Sequence, residues 1–261
     1  MTITIAQMYR YPVKGLSPEP LGRVELTPGR CLPQDRRFAI ALPTTRFDPE
    51  QPQWLAKTHF IMLMRDEKLA ELTTRFDGEA DLLTIERDGR TVLRESLGDA
   101  EGRRRVAGFF DEFLAGLVEG PLRVVAAPGH TFADARRRPN ASTGQYVSLI
   151  NLASIDALEQ SIGAKVAAVR FRANVYFAGA PAWTELDWLE REIAAGEARL
   201  RVVSPITRCA ATQVNPVTAA RDLDIVGALQ RGFDHNLMGV YAEVLEGGDI
   251  ALGDTLIPSP A

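Results

Sequence analysis

Alternation of hydrophobic and polar positions dominates the first half of the chain. It starts at Ile3 and Ile5, recurs at Val24 and Leu26, and returns in the run 38–42. A period of two places alternate side chains on opposite faces, which is the pattern of a half-buried strand. The N-terminal half is therefore predicted to be mostly β.

A hairpin is predicted where Asp88-Gly89-Arg90 separates the β-prone runs 82–87 and 91–93. Asp-Gly favours the backbone conformation of a tight turn between antiparallel strands. Strands at such short spacings are typical of a barrel or a sandwich.

Helical spacing follows the hairpin. Six apolar residues form one broad stripe before Gly120-Pro121 ends the segment, and they are Val106, Phe109, Phe110, Phe113, Leu114 and Leu117. Beyond a strand at 122–126 the pattern becomes mixed α and β. We therefore predict two closely packed domains, residues 1–120 and 121–261, that share a site between them.

The second half contains a long loop and further elements. The segment 129–145 is rich in Arg, Pro, Ser, Thr and Gly and is predicted to be a loop, a length that is often functional. Ser154 is predicted to cap a short helix. The run 166–177 is predicted to be a strand with Arg170 and Arg172 on one face, and strand 200–203 leads toward Cys209. A helix at 222–233 and a strand at 239–245 follow.

Composition excludes several classes of protein. The 261 residues are 46% hydrophobic and 25% charged, as in ordinary globular domains, and the net charge of −4 argues against general nucleic-acid binding. No stretch has the length of a membrane span, and the N-terminus lacks the pattern of a signal peptide. These two absences predict a cytoplasmic location without a membrane partner, and the presence of only two cysteines agrees with a reducing compartment.

Cys209 is the most informative residue. It lies in the segment 204–216, beside Arg208 and near the hydroxyls of Thr207 and Thr212. A cationic neighbour favours the thiolate, which binds soft metals or attacks electrophiles. The ordinary alternative is a small buried strand residue, and chemistry alone favours that alternative.

Other candidate residues are scattered along the sequence. Lys14, Arg36, Arg172 and Arg208 are cations whose geometry suits phosphate, but composition does not show that they converge. Nucleotide-binding glycine motifs and a hydrolase serine elbow are absent from the sequence. The three histidines show no metal-ligand spacing, and His59, in an apolar run, is the one of most interest.

Two groups of motifs resemble a known family. The runs 9–15 and 35–38 resemble the N-terminal β-barrel that precedes MOSC domains. The runs 170–175, 185–188, 207–216 and 253–254 resemble the MOSC domain, which is named after the C-terminal part of molybdenum cofactor sulfurases. The resemblance covers essentially the whole chain in the family's order. Its nearest functional relatives are the mitochondrial amidoxime-reducing component and bacterial counterparts.

This resemblance implies a β-rich α/β (α+β) fold, with an N-terminal β-barrel-like domain packed on a MOSC β-barrel domain that carries peripheral helices. It also implies a molybdenum-molybdopterin cofactor, with Cys209 as the metal ligand and catalytic residue. The implied cofactor-binding positions are Lys14, Arg36, Arg172, Asn174, Thr207 and Arg208.

The sequence departs from the family pattern at several positions. Gly15 stands where a Ser is frequent, Ala173 replaces a Pro, and Ala219 replaces a Gly. The chain also lacks the four cysteines of a plant-type iron–sulfur cluster and the aminotransferase-like half of a cofactor sulfurase.

The expected function is that of a molybdenum-dependent oxidoreductase that reduces small N-hydroxylated compounds. Because the sequence has no route for electrons of its own, a separate flavin or iron–sulfur reductase is expected to supply them. The alternative is a molybdenum cofactor carrier or sulfur-handling protein in cofactor maturation, and a binding module without catalysis is a weaker third possibility.

Overall fold

The computed structural model describes residues 2–260, which form mainly β-structure with three α-helices. The strands β1 to β15 are, in chain order, Thr4–Arg10, Glu19–Pro20, Arg23–Leu26, Ala39–Ala41, Leu72–Asp77, Leu82–Arg87, Arg90–Ser96, Arg123–Val125, Val147–Asn151, Val175–Ala178, Glu192–Ala195, Ala198–Thr207, Leu237–Glu246, Gly248–Ala251 and Leu256–Pro258. The helices α1 to α3 are Ala100–Phe113, Leu152–Ile162 and Ile225–Phe233. Short 3₁₀ helices cover Lys57–His59, Glu67–Glu71, Ala168–Phe171, Thr184–Trp188 and Ala210–Gln213. The predicted β-rich α+β class is confirmed.

One curled eight-stranded sheet organises the molecule. Its strand order is β15-β11-β12-β13-β9-β10-β1-β2, and all neighbours are antiparallel except β9 and β10. One face buries an apolar core that includes Phe177, Trp188 and Val240. Helices α2 and α3 cover a second core through residues such as Leu158 and Leu229.

Three sheets contain strands from both sides of residue 120. Strand β1 pairs with β10 inside the large sheet, β3 pairs with β14, and β4 pairs with β8. The hydrogen-bonding network therefore joins the two halves closely. The division of the chain at residue 120 stays a prediction.

The sheet β5-β6-β7 and helix α1 form a separate layer. Strands β6 and β7 are joined by Asp88 and Gly89, whose φ angles of 52° and 72° are those of the predicted tight turn. The carboxylate of Asp99 accepts a hydrogen bond from the Gly102 N–H at 2.7 Å and so caps α1. Phe110 and other apolar residues of α1 then pack on the sheet.

Two predictions for the second half are wrong. Asn151 caps α2, because its side chain accepts from the Ala153 N–H at 3.1 Å, whereas Ser154 lies inside the helix and donates to Glu185. The run 166–177 is a strand only from Val175 onward. Its first part is a 3₁₀ helix that ends at Arg172 in the left-handed region, so strand alternation does not apply there.

No helix between residues 2 and 260 combines the length and apolar character needed to cross a membrane.

Candidate functional site

A cavity of about 530 Å³ opens where loops from both halves of the chain meet. We call it the Cys209 pocket. Its wall contains all seven residues singled out from the sequence, namely Lys14, Arg36, Arg172, Asn174, Thr207, Arg208 and Cys209. The expected convergence of four cations on one cleft is thus observed, while the binding role of each residue stays a prediction.

Lys14 lies in the turn after β1 and is almost fully buried, with 7% exposure. Its Nζ donates to the Phe132 carbonyl at 2.8 Å and forms an ion pair with Asp134. Burial lowers the pKa of Lys14, and Asp134 partly offsets that effect. The ammonium is therefore fixed against the loop 129–145.

Arg36 and Arg172 share an unusual backbone conformation. Their φ angles are 49° and 54°, in the left-handed region that costs a non-glycine residue about 1 kcal/mol or more. Such strain is common at ligand sites, where surrounding structure holds the residue in place. Arg36 also donates from Nη2 to the Arg172 carbonyl at 2.7 Å, so the two arginines are tied together.

Tyr11, which the sequence analysis did not single out, is the platform for both arginines. The guanidinium carbons of Arg36 and Arg172 lie 4.4 and 4.3 Å from the centre of its ring. The ring is fully buried, and burial raises the pKa of Tyr11 to about 12, so the phenol is neutral. Position 11 belongs to the motif 9–15, but nothing in the sequence showed that two distant arginines would contact it.

The Arg172 guanidinium has no protein hydrogen-bond partner within residues 2–260, and its Nη2 is buried. Burial therefore lowers the pKa of Arg172 to about 10, which still leaves it charged at neutral pH. Buried donors without partners are rare in proteins. This group is available to an anionic ligand.

Arg208 is held differently. Its guanidinium donates to the Phe171 carbonyl at 2.8 Å and to the Met238 carbonyl at 2.9 Å. These contacts with neutral carbonyls fix its direction without cancelling its charge. Burial lowers the pKa of Arg208.

Asn174 and Thr207, two polar residues of the pocket wall, differ in their burial. The Asn174 side chain is 2% exposed and already bonded to the protein, accepting from Ser148 and donating to the Tyr9 carbonyl at 3.2 Å. It therefore joins β1, β9 and β10 at the floor of the pocket. Thr207 ends β12 and is exposed.

Cys209 follows β12 and precedes the 3₁₀ helix Ala210–Gln213. Its carbonyl accepts from both the backbone N–H and the hydroxyl of Thr212, at 3.0 and 2.9 Å. This local anchor fixes the backbone at the cysteine, while the residue is partly exposed. The arrangement presents a thiol on a rigid support in a cationic cavity.

Lys57 and Asp134 also line the pocket, and the sequence analysis missed both. Burial alone would lower the pKa of Lys57, but the nearby Cys209 sulfur and Asp134 raise it overall. Lys57 therefore keeps its positive charge near the thiol. His59, the histidine of most interest in the sequence, does not line this pocket, whereas Lys57 of the same segment does.

The charge balance of the pocket is positive. Lys14 is paired with Asp134 and Arg36 with Asp35. Among residues 2–260, no carboxylate forms an ion pair with Arg172 or Arg208. The guanidinium groups can bind an anionic ligand. The thiol beside them can bind a soft metal that the same ligand carries.

Comparison with protein families gives two matches. Residues 2–120 match the MOSC N-terminal beta barrel domain, and residues 130–257 match the MOSC domain. A molybdenum cofactor sulfurase from Caenorhabditis briggsae is 24% identical over 248 residues, which are 91% of this chain and 33% of that protein. The chain thus spans about a third of the length of this curated relative.

Solved structures show weaker likeness. The YuaD protein from Bacillus subtilis matches with a TM-score of 0.47 and 12% identity, over 100% of this chain and 98% of that one. YiiM from Geobacillus stearothermophilus matches with a TM-score of 0.35 and 24% identity, over 44% of this chain and 54% of that one.

Proposed function

Since this chain belongs to the family of MOSC domain proteins with a MOSC N-terminal beta barrel domain, we propose that it binds the molybdenum-molybdopterin cofactor in the Cys209 pocket. We propose further that it is an oxidoreductase that reduces small N-hydroxylated compounds. The main support is the convergence in one cavity of the Cys209 thiol with the guanidinium groups of Arg172 and Arg208, which form no ion pair within residues 2–260.

The residues of the pocket fit this cofactor. A pterin phosphate needs charge-assisted donors, and the Arg172 guanidinium, whose Nη2 is buried, has no hydrogen-bond partner among residues 2–260. Molybdenum is a soft enough metal for thiolate ligation, and Cys209 is the cysteine of the pocket.

Each group of residues has a distinct task in this proposal. Cys209 ligates the metal, Arg172 and Arg208 hold the phosphate, and Lys14 and Arg36 supply further positive charge. Tyr11 keeps Arg36 and Arg172, which stack on its ring, in place. When bound, the cofactor supplies two-electron oxygen-atom-transfer chemistry. The protein binds it, orients it and surrounds it with positive charge.

Electrons come from a separate flavin or iron–sulfur partner in this proposal. The sequence has two cysteines and no dinucleotide-binding glycine motif, so it offers no internal path from a nicotinamide. We therefore expect NADH alone to support no turnover by the purified chain. A chemical donor such as reduced viologen replaces the partner in the test.

The test begins with protein made in a host that synthesises the cofactor. Molybdenum should be near stoichiometric by elemental analysis, and a hydroxylamine-type substrate should be reduced with viologen as donor. Cys209→Ala should abolish turnover, and Cys31→Ala is the matched control that should retain it. Absence of molybdenum from the wild-type protein, or full activity in Cys209→Ala, contradicts the proposal.

The second candidate is a carrier or sulfur-handling role in cofactor maturation. It is supported by the similarity to a protein named molybdenum cofactor sulfurase. The two candidates differ in one result: molybdenum-loaded protein that reduces no N-hydroxylated compound with any donor, yet transfers its cofactor to an acceptor enzyme, supports the carrier.

A further inference from the structure

A second and larger cavity, of about 900 Å³, lies beside the Cys209 pocket. Asp35 lines both cavities, but none of the seven predicted site residues lines the second one. We call it the arginine pocket and define it by Arg30, Arg103, Arg123, Phe38, Phe47 and His130. Its volume is that of a typical small-molecule site.

Three guanidinium groups of this pocket are held in the same way. Arg30 donates from Nη1 to the Gly129 carbonyl at 3.0 Å, and Arg103 donates from Nη1 to the Leu97 carbonyl at 2.8 Å. Arg123 donates from Nη2 to the Thr45 carbonyl. A guanidinium has five N–H donors, so each anchor fixes the group and leaves other donors for a ligand.

The positive charge of these three groups is not cancelled nearby. Across the described chain, 2–260, none of them forms an ion pair with a carboxylate. The nearby Asp35 is paired with Arg36 at 2.5 Å, and Arg37 is paired with Asp81 at 2.5 Å. In a chain of net charge −4, this is a local concentration of free positive charge.

The rest of the lining is largely apolar. Phe38, Leu97 and Val125 lie along the cavity as buried residues, and the Phe47 ring is partly exposed. The His130 ring lies 5.6 Å from that of Phe47, between centres, and burial lowers the pKa of His130. At neutral pH the histidine is therefore an uncharged ring within the apolar wall.

We propose that the arginine pocket binds an organic anion whose acidic group sits on a flat apolar body, with Arg30, Arg103 and Arg123 holding the acid. Guanidinium forks match carboxylate and phosphate alike, so an aromatic carboxylate and a nucleoside monophosphate share the required chemistry. The partly exposed rings of Phe47 and His130 contact the body of the ligand.

The test uses purified protein and the fluorescent anion 8-anilinonaphthalene-1-sulfonate as probe. Saturable binding with one site in this pocket is expected, and 1-naphthoate and adenosine monophosphate are then added as competitors. Displacement by one and not by the other identifies the acid as carboxylate or phosphate. Displacement by both supports the shared chemistry, and displacement by neither overturns the proposal.

Substitutions test whether the probe binds in the arginine pocket. The single changes Arg30→Gln and Arg123→Gln affect exposed side chains and should each weaken probe binding several-fold. The triple change, which adds Arg103→Gln, should weaken it at least about tenfold, since each contact is charge-assisted. Arg75→Gln is the matched control, because this exposed arginine pairs with Glu86 on the β5–β6 hairpin, and its binding should equal that of wild type.

The cationic Cys209 pocket requires a second control, Arg172→Gln. Unchanged probe binding in that variant, with loss in the triple variant, supports the arginine pocket independently of any molybdenum. Loss in Arg172→Gln and retention in the triple variant overturns the proposal. A short polyglutamate peptide that binds more tightly than both small competitors also overturns it, since the pocket would then be part of a protein-docking surface.

Discussion

The guanidinium of Arg172 stacks on the ring of Tyr11, with its central carbon 4.3 Å from the ring centre. The two residues are 161 positions apart in the sequence, and the pairing of β1 with β10 brings them together. The contact holds a charged group that has no hydrogen-bond partner among residues 2–260. The pocket thus maintains an arginine ready for a ligand, at a cost to stability.

Removing the Arg172 side chain should therefore lower cofactor retention without lowering the stability of the fold. Arg172→Gly relieves the left-handed backbone and the unpaired buried charge, so the free energy of unfolding of cofactor-free protein should stay level or rise by about 1 kcal/mol. Molybdenum retention should fall at least about tenfold. Asp234→Gly, at the left-handed residue after α3, is the control that should keep its molybdenum. A large loss of stability in Arg172→Gly contradicts this account.

Substitution at Tyr11 should test the aromatic platform. Tyr11→Leu removes the ring, and a cation–π contact is worth about 0.5–2 kcal/mol, so molybdenum retained after dialysis should fall roughly twofold to thirtyfold. Tyr11→Phe keeps the ring and loses the contacts of the hydroxyl, a long one of 3.5 Å to the Ala173 carbonyl and one with the Tyr176 hydroxyl. It should behave like wild type, and equal losses in the two variants argue against the platform.

Thiol labelling should distinguish the two cysteines. Cys31 is 9% exposed, and burial raises the pKa of its thiol to about 12, so it is neutral and unreactive in the native state. Cys209 is partly exposed in the pocket and should take up iodoacetamide in cofactor-free protein. Mass spectrometry of digested peptides gives the site. If Cys31 is labelled faster than Cys209 in the folded protein, this prediction is wrong.

Glu243 should make the loop 129–145 sensitive to acid. Burial alone would raise the pKa of Glu243, but hydrogen bonds from Ser142 and Arg201 outweigh it and hold that pKa below 4.5. A lowered carboxyl pKa contributes stability that is fully present above the unfolded value and is lost as pH falls through the folded value.

The variant Glu243→Gln should lose about 1.5–3 kcal/mol of unfolding free energy at neutral pH. Its difference from wild type should shrink as the pH falls below 4.5. Urea unfolding across this range measures both effects. Glu246→Gln, on the same strand and exposed, is the control that should change little. If the difference in unfolding free energy between Glu243→Gln and wild type grows in acid, the pKa of Glu243 is not lowered by folding and the prediction is wrong.

The elements that the sequence predicted correctly depend on local chemistry. Asp88-Gly89 tolerates positive φ, and the apolar stripe of α1 follows from helical spacing as far as Phe113. The predicted continuation through Leu114 and Leu117 is wrong, because the helix ends at Phe113. The errors arise where tertiary contacts override the local preference of the sequence. The run before Arg172 has strand-forming residues, but packing bends it into a 3₁₀ helix.

The candidate site was predicted through family resemblance and not through spacing. Motifs selected Cys209 and the four cations, and the structure places them in one pocket. Tyr11 was missed because its contacts with Arg36 and Arg172 join distant parts of the chain. Lys57 and Asp134 were missed because they meet Cys209 only in the folded pocket. A single sequence gives no distance between them.

Strand β1 lies between β10 and β2 in the large sheet, and this has a consequence for synthesis of the protein. On a ribosome, β1 emerges long before its partner Val175–Ala178 exists. At about 5–20 residues per second, the strand waits roughly 8–33 s for that partner. The turn that carries Lys14 gains its final support only after this delay. Whatever ligand the Cys209 pocket holds must therefore enter after translation has passed both walls of the cavity, which extend from Lys14 to Tyr241.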